Sequence, residues 1–426
     1  MAALPSVSAA TPAADASPAT APRYTSALSA VTTLFFLWGF ITCLNDILIP
    51  YLKAIFQLSF AKANFINLCF FGAYFLMSIP AGRLVARIGY KRGMLVGFGV
   101  AALGAFLFYP AAAQRVYGLF LGALFVLASG ITLLQVAANP YVAILGPPKT
   151  ASVRLTLTQA FNSLGTTLAP LLGSALILSH LPKLSRATSA AAIDVTAVQI
   201  PYLVIGAALL LISLLLSQVN LPQIELATEQ VADVDAGSVR AWHYRHLVFG
   251  VVGIFAYVGA EVAIGSHLVS YLALPDVMGL DPKAAGNRLS LYWGAAMVGR
   301  FAGAYLLNKV SPAKLLAFNA VVAAALVLLS INSTGAVAMW SLVSVGLMNS
   351  IMWPVIFPLA LAGLGRHTEE GSGLLCTAVV GGALVPLLFG YLADHSSLRL
   401  ALLLPVACYG YIVWYGLRGS QRASIS

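Results

Sequence analysis

Residues 35–53, FFLWGFITCLNDILIPYLK, form an apolar run long enough to cross a bilayer, yet Asp46 lies inside it beside Asn45. A carboxylate in hydrocarbon is costly unless it is paired, solvated in a cavity or protonated. The chemistry open to Asp46 is therefore uptake and release of a proton as its surroundings change, since burial disfavours the charged form. The alternative is a structural aspartate bonded to broken helix backbone or paired with an arginine. Gln159 and Asn162 stand three apart, so they share one face of a helix. Each amide both donates and accepts hydrogen bonds, which matches hydroxyl groups that do the same. Gln135, ahead of Asn139-Pro140, is a third such amide, with an interhelical hydrogen bond as its other use. Asn349 and Trp353 lie at i and i+4 beside Pro354 and combine an amide with a flat apolar ring. Trp38 offers the same ring from the run that holds Asp46. Glu261 is a second acid in an apolar stretch and has three readings: a titrating group, a ligand of a bound solute, or the charge partner of Arg300. His267 and Trp293 are weaker candidates, because His267 falls six residues from Glu261 and on another helix face.

These residues sit in a chain of 426, of which 60% are hydrophobic and 8% charged, against about 25% charged in a soluble domain. Tracts of roughly 20 apolar residues recur along its length, the period of membrane-crossing helices and not of outer-membrane strands. The formal charge of +10 comes from basic residues in short connections between tracts, where they set orientation in the bilayer. No nucleic-acid partner is indicated. No Gly-rich phosphate loop with its lysine is present, so ATP is not the expected energy source. Cys43, Cys69, Cys376 and Cys408 all fall inside apolar tracts without paired spacing, which indicates neither a disulfide framework nor a metal site. No cofactor is expected.

Twelve spans are predicted, at 26–52, 61–85, 93–112, 116–145, 154–180, 199–218, 245–273, 285–307, 313–332, 336–364, 371–393 and 399–417. The fold class is all-α integral membrane, with a disordered cytoplasmic tail at 1–24, a six-helix half at 25–218, a cytoplasmic linker at 219–244, a second half at 245–418 and a short tail at 419–426. The linker is marked by Glu225, Glu229, Asp233 and Asp235. An even number of spans and the basic cluster Arg83, Arg87, Lys91 and Arg92 place both termini in the cytoplasm. Asp46 and Glu261 are 215 residues apart, and Ala169-Pro170-Leu171-Leu172 is echoed by Val385-Pro386-Leu387-Leu388 at an offset of 216. Both offsets are close to half the chain, as expected for two parallel copies facing a midplane cavity.

The connection Gly82-Arg83-Leu84-Val85-Ala86-Arg87-Ile88-Gly89-Tyr90-Lys91-Arg92 resembles the cytoplasmic loop motif of the major facilitator superfamily, with Ala86 in place of the usual acid. Gly82, Arg83, Gly89, Lys91 and Arg92 carry that resemblance, and without the acid any latch there is built differently. Longer runs, including LLQVAANPYVAILGP, TLTQAFNSLGTTLAP and YVGAEVAIGSHLVSYL, resemble the fucose/galactose/glucose proton symporter family, most closely its glucose/galactose branch. The resemblance covers about residues 30 to 415. It implies a proton-coupling role for Asp46 and a sugar cavity that includes Trp38, Gln159 and Asn162. Two departures stand out: Gln135 replaces a second acid of the fucose branch and cannot titrate, and Cys43 replaces an amide.

The expectation is a secondary transporter of the inner membrane that imports a hexose with a proton by alternating access, and not an enzyme. Its substrate site would be Trp38, Gln135, Gln159, Asn162, Glu261, Asn349 and Trp353, with proton coupling at Asp46. The rivals are a carrier of fucose or N-acetylglucosamine, a sodium-coupled sugar symporter, a proton/drug antiporter, and a non-transporting sugar receptor. The amides count against an apolar drug cavity. A monomer is expected, since one chain supplies the whole pathway.

Overall fold

The computed structural model describes residues 25, 27–40, 60–176, 196–219, 221–222, 240–280 and 282–421. Asp46, Cys43 and the acidic linker residues Glu225 to Asp235 lie outside them. Nine helices among the described residues are long and apolar enough to cross a membrane. They are α2 (Phe60–Ile88), α3 (Tyr90–Gln114), α4 (Tyr117–Ile144), α6 (Thr196–Gln218), α7 (Arg245–Leu272), α9 (Pro312–Ile331), α10 (Gly335–Leu361), α11 (Gly365–His395) and α12 (Leu398–Gly419). Three more stand where the first, fifth and eighth spans were predicted: α1 (Ala27–Phe40), α5 (Ala151–Leu176) and α8 (Pro282–Leu306). At 26 and 25 residues, α5 and α8 match their neighbours in length. They are less apolar because they carry Arg154, Gln159, Asn162, Asn287, Arg288 and Arg300. The bundle wears its apolar side chains outward, with Val204 at 61%, Leu214 at 57% and Phe318 at 60% exposure, the arrangement for a lipid solvent and not for water.

Helices in lipid gain little from burying apolar surface against one another, so close approach comes from small residues. A Cβ on Gly130 would lie 2.3 Å from the Ala101 backbone nitrogen, and one on Gly104 would lie 2.3 Å from that of Leu127. These contacts fuse α3 to α4. The same device exposes the repeat. A Cβ on Gly165 of α5 would meet the Phe36 carbonyl of α1 at 2.3 Å, and one on Gly381 of α11 would meet the Phe255 carbonyl of α7 at 2.3 Å. The two glycines are 216 residues apart. Corresponding helices therefore pack alike in the two halves. Between the halves there are two seams, α2 against α11 and α5 against α8, and exchanging the halves converts one seam into the other.

At the end that carries Gly82 to Arg92, the first seam is close. A Cβ on Gly82 would lie 2.8 Å from the Glu369 carbonyl, and one on Gly373 would lie 2.7 Å from that of Ser78. Pro140 in α4 has no N–H for the carbonyl of Val136 four residues back, and Ser372 Oγ of α11 donates to that carbonyl at 2.9 Å instead. Gly89 has φ of +81°, the turn that α3 needs to start. Lys91 Nζ donates to the Ser217 carbonyl near the end of α6 at 2.8 Å, while Arg83, Ala86 and Arg92 are exposed.

Arg154 is 8% exposed and faces carbonyls instead of a carboxylate. Its Nε donates to Val142 O at 3.0 Å, Nη2 to Ala143 O at 2.5 Å, and Nη1 to Pro147 O at 3.0 Å and Thr150 Oγ1 at 2.6 Å. These are the carbonyls that the last turn of α4 and its connection leave without an N–H, and the cation also meets the negative end of the helix dipole. Replacing Arg154 by Met should cost about 3 kcal/mol and lower the thermal midpoint of the detergent-purified protein. Arg154→Lys should recover only part, because an ammonium cannot span the same fork of carbonyls.

Candidate substrate cavity

A cavity of about 330 Å³ lies between the halves. Trp38 of α1, Tyr74 of α2, Gln135 of α4, Gln159 and Asn162 of α5, Tyr257 and Glu261 of α7, Arg300 of α8 and Trp353 of α10 supply its polar and indole lining. Six of the seven residues expected at a substrate site therefore meet in one place.

The seventh, Asn349, does not. It is fully buried and its amide is committed at both ends, donating to Tyr292 Oη at 2.8 Å and accepting from Tyr409 Oη at 2.9 Å. The spacing to Trp353 suggested a shared face, but α10 is interrupted at Ser350 and Ile351, and a broken helix does not keep i, i+4 residues in line. Asn349 ties α8 and α12 to α10. His267 and Trp293 also lie apart from the lining: the His267 ring packs on Phe389 at 4.4 Å between centroids, and Trp293 is 45% exposed.

In the first half the amides form a chain. Gln159 Nε2 donates to Asn139 Oδ1 at 3.3 Å, Asn139 Nδ2 donates to Gln135 Oε1 at 3.0 Å, and Gln135 Nε2 donates to Tyr74 Oη at 3.0 Å. Asn162 Nδ2 donates to the Phe35 carbonyl at 2.8 Å and lies against α1 at Gly39, where a Cβ would come within 2.6 Å of that nitrogen. These bonds fix the orientation of four amides. They leave the Gln159 and Asn162 carbonyl oxygens with no donor among the described residues, and that is capacity a ligand hydroxyl can use.

In the second half the unmet groups are sharper. Glu261 Oε1 and Trp353 Nε1 are buried and have no hydrogen-bond partner. Arg300 is placed by a helix break. Pro354 cannot donate to the carbonyl of Ser350 four residues back, and Arg300 Nε donates to that carbonyl at 3.3 Å. Its Nη1 donates to Ser163 Oγ of α5, across the seam. Neither of the two ion pairs found among the described residues, His367–Glu370 and Asp276–Arg399, involves Glu261 or Arg300.

Tyr74, Asn139 and Tyr257 were not picked out as site residues from the sequence. Asn139 is four residues after Gln135 and Tyr257 four before Glu261, so an i, i+4 search around the chosen residues finds both. Tyr74 has no such signal, because aromatic residues are common in apolar helices. The basic-loop residues Gly82, Arg83, Gly89, Lys91 and Arg92 stay at the far end of the bundle from this lining.

Residues 28–380 match the Major Facilitator Superfamily. The chain is 55% identical over 399 residues to a protein of Brucella abortus described as a glucose/galactose transporter, covering 94% of this chain and 95% of the relative. It is 36% identical over 408 residues to the L-fucose-proton symporter of Escherichia coli, covering 92% of each. The crystal structure of the Escherichia coli fucose:proton symporter superposes with a TM-score of 0.84 at 35% identity, covering 93% of this chain and 99% of that one. A Major Facilitator Superfamily transporter solved in the outward conformation superposes with a TM-score of 0.86 at 34% identity and the same coverage. With matched seams, a cavity between repeated halves and a family match over most of its length, the chain belongs to the Major Facilitator Superfamily.

Proposed function

We propose that this chain is a secondary transporter that carries a hexose of the glucose/galactose type inward with a proton, by alternating access. The observation that carries this reading is the cavity itself. It has an indole from each half, Trp38 and Trp353, and between them stand amide oxygens, an indole N–H and a carboxylate oxygen that nothing in the described residues satisfies. Flat apolar rings suit the C–H faces of a pyranose, and mixed donors and acceptors suit its hydroxyls. A volume of about 330 Å³ lies at the small end of ligand sites, which run from about 300 to 1,000 Å³, and so favours a monosaccharide over a drug-sized solute. The names of the relatives from Brucella abortus and Helicobacter pylori support a glucose/galactose substrate, and that of the Escherichia coli relative supports proton coupling.

In this reading Gln159, Asn162 and Trp353 hold hydroxyls, Trp38 covers a ring face, and Gln135 orients Gln159 through Asn139. Asp46 takes up a proton from the outer compartment, which removes a charge from the pathway and lets the loaded carrier reorient. The halves rock about the cavity, closing the basic end while the other is open and then reversing. The protein works as a monomer in the inner membrane with both termini cytoplasmic. The basic loop with Lys91 and Arg92 belongs to the cytoplasmic face and supports its closed state, with Gly82 on α11 doing the packing.

Gln159→Ala and Asn162→Ala should each weaken glucose binding by roughly tenfold, the worth of one hydrogen bond, measured by quenching of the intrinsic tryptophan fluorescence. Unchanged affinity in both variants would remove the cavity from the substrate pathway. Asp46→Asn should abolish accumulation of radiolabelled glucose driven by a pH gradient in proteoliposomes while counterflow exchange continues. Undiminished uphill uptake would remove Asp46 from the coupling step.

A further inference from the structure

Glu261 and Arg300 face one cavity without forming an ion pair. Arg300 instead bonds to the Ser350 carbonyl of α10 and to Ser163 of α5. The Ser163 hydroxyl passes its own proton to the Gln159 carbonyl at 3.0 Å, so the arginine holds α8 to α5 at a point one residue from Asn162 and one turn from Gln159. Meanwhile Glu261 Oε1 is buried without a partner. An ionised carboxylate would draw the neighbouring guanidinium to itself, because an unpaired buried charge is far costlier than a lost neutral hydrogen bond. The observed arrangement fits a neutral Glu261.

The surroundings of Glu261 contain little else that carries charge. Tyr257 lies one turn earlier on α7, Tyr292 and Arg300 face it from α8, and Tyr409 faces it from α12. The Tyr292 hydroxyl donates to the Glu261 backbone carbonyl at 3.4 Å. From α10 and α11 the cavity receives Trp353, Pro354 and Val379, none of which titrates. Arg300 is thus the one cation whose position Glu261 can control among the described residues.

We propose that Glu261 is a proton-operated switch for the α5–α8 seam: protonated, it leaves Arg300 on Ser163 and the seam is clamped; ionised, it takes Arg300 and the clamp opens. This deepens the reading of the chain as a proton-coupled sugar carrier and rests on it. The switch joins the proton to the sugar through geometry, because the residue that Arg300 releases lies beside the amides that hold the sugar. It also gives each half one acid, Asp46 in the first and Glu261 in the second, at equivalent places in the repeat.

Thr167 Oγ1 and Met297 Sδ are 3.3 Å apart across the same seam, so the pair Thr167→Cys and Met297→Cys reports its closure by oxidative disulfide trapping in the full-length protein in liposomes. Trapping rates are compared at each pH with and without Glu261→Gln, so that the thiols' own pH dependence cancels. In the native background the rate relative to Glu261→Gln should fall on the order of tenfold from acid to alkaline pH, a coupling of ordinary size. Ser163→Ala should trap slowly at every pH, which a purely local role for Glu261 does not predict. A ratio that stays flat with pH, or Ser163→Ala trapping like the native background, overturns the switch. Proton-driven glucose accumulation by the native chain is measured in parallel. If that is present while the ratio is flat, the switch alone fails; if it is absent, the carrier reading fails with it.

Discussion

A polar side chain on a membrane helix has few places to go. Lipid offers it no partner, so it turns toward a neighbouring helix, a chain end or a water-accessible gap. The arrangement of this bundle follows from that constraint. The two full-length helices least suited to lipid, α5 and α8, are those that meet across a seam and put Gln159, Asn162 and Arg300 into the cavity. Their polarity and their position are one fact. Arg154, at the start of α5, obeys the same rule by another route, with its charge set against the end of α4.

Proline does comparable work on the backbone. Pro140 and Pro354 each free a carbonyl one turn back, and each freed carbonyl is taken by a side chain from another helix: Ser372 at Val136, Arg300 at Ser350. The two prolines are 214 residues apart. A helix break that would be a defect in a uniform helix becomes a socket, and the sockets fix where α11 and α8 sit relative to the cavity.

Much of this could be read from residues alone. Hydropathy marked the spans, and the offset between Asp46 and Glu261 marked the repeat, because both are properties of residue type along the chain. Gln135, Gln159, Asn162, Trp38, Glu261 and Trp353 were found because polar or indole groups stand out against an apolar background. Asn349 stood out equally and lies elsewhere, since sequence spacing does not tell a broken helix from a continuous one. Nor does it tell a free amide from one already held by two tyrosines. The link from Asn139 to Tyr74 and the reach of Arg300 to Ser163 depend on which helices adjoin, and that is set by glycine contacts such as Gly165 on Phe36 and Gly346 on Tyr292.

The glycine pair Gly165 and Gly381 has a mechanical consequence. Each presses a seam helix onto the backbone of a partner in its own half, α5 onto α1 and α11 onto α7, with no side chain between to deform. Each pair should travel as a stiff unit, so displacement concentrates at the seams and each half pivots as a lever. Because the seams interchange when the halves are swapped, the same levers serve for tilting in either direction, and the opposite tilt calls for no new set of parts.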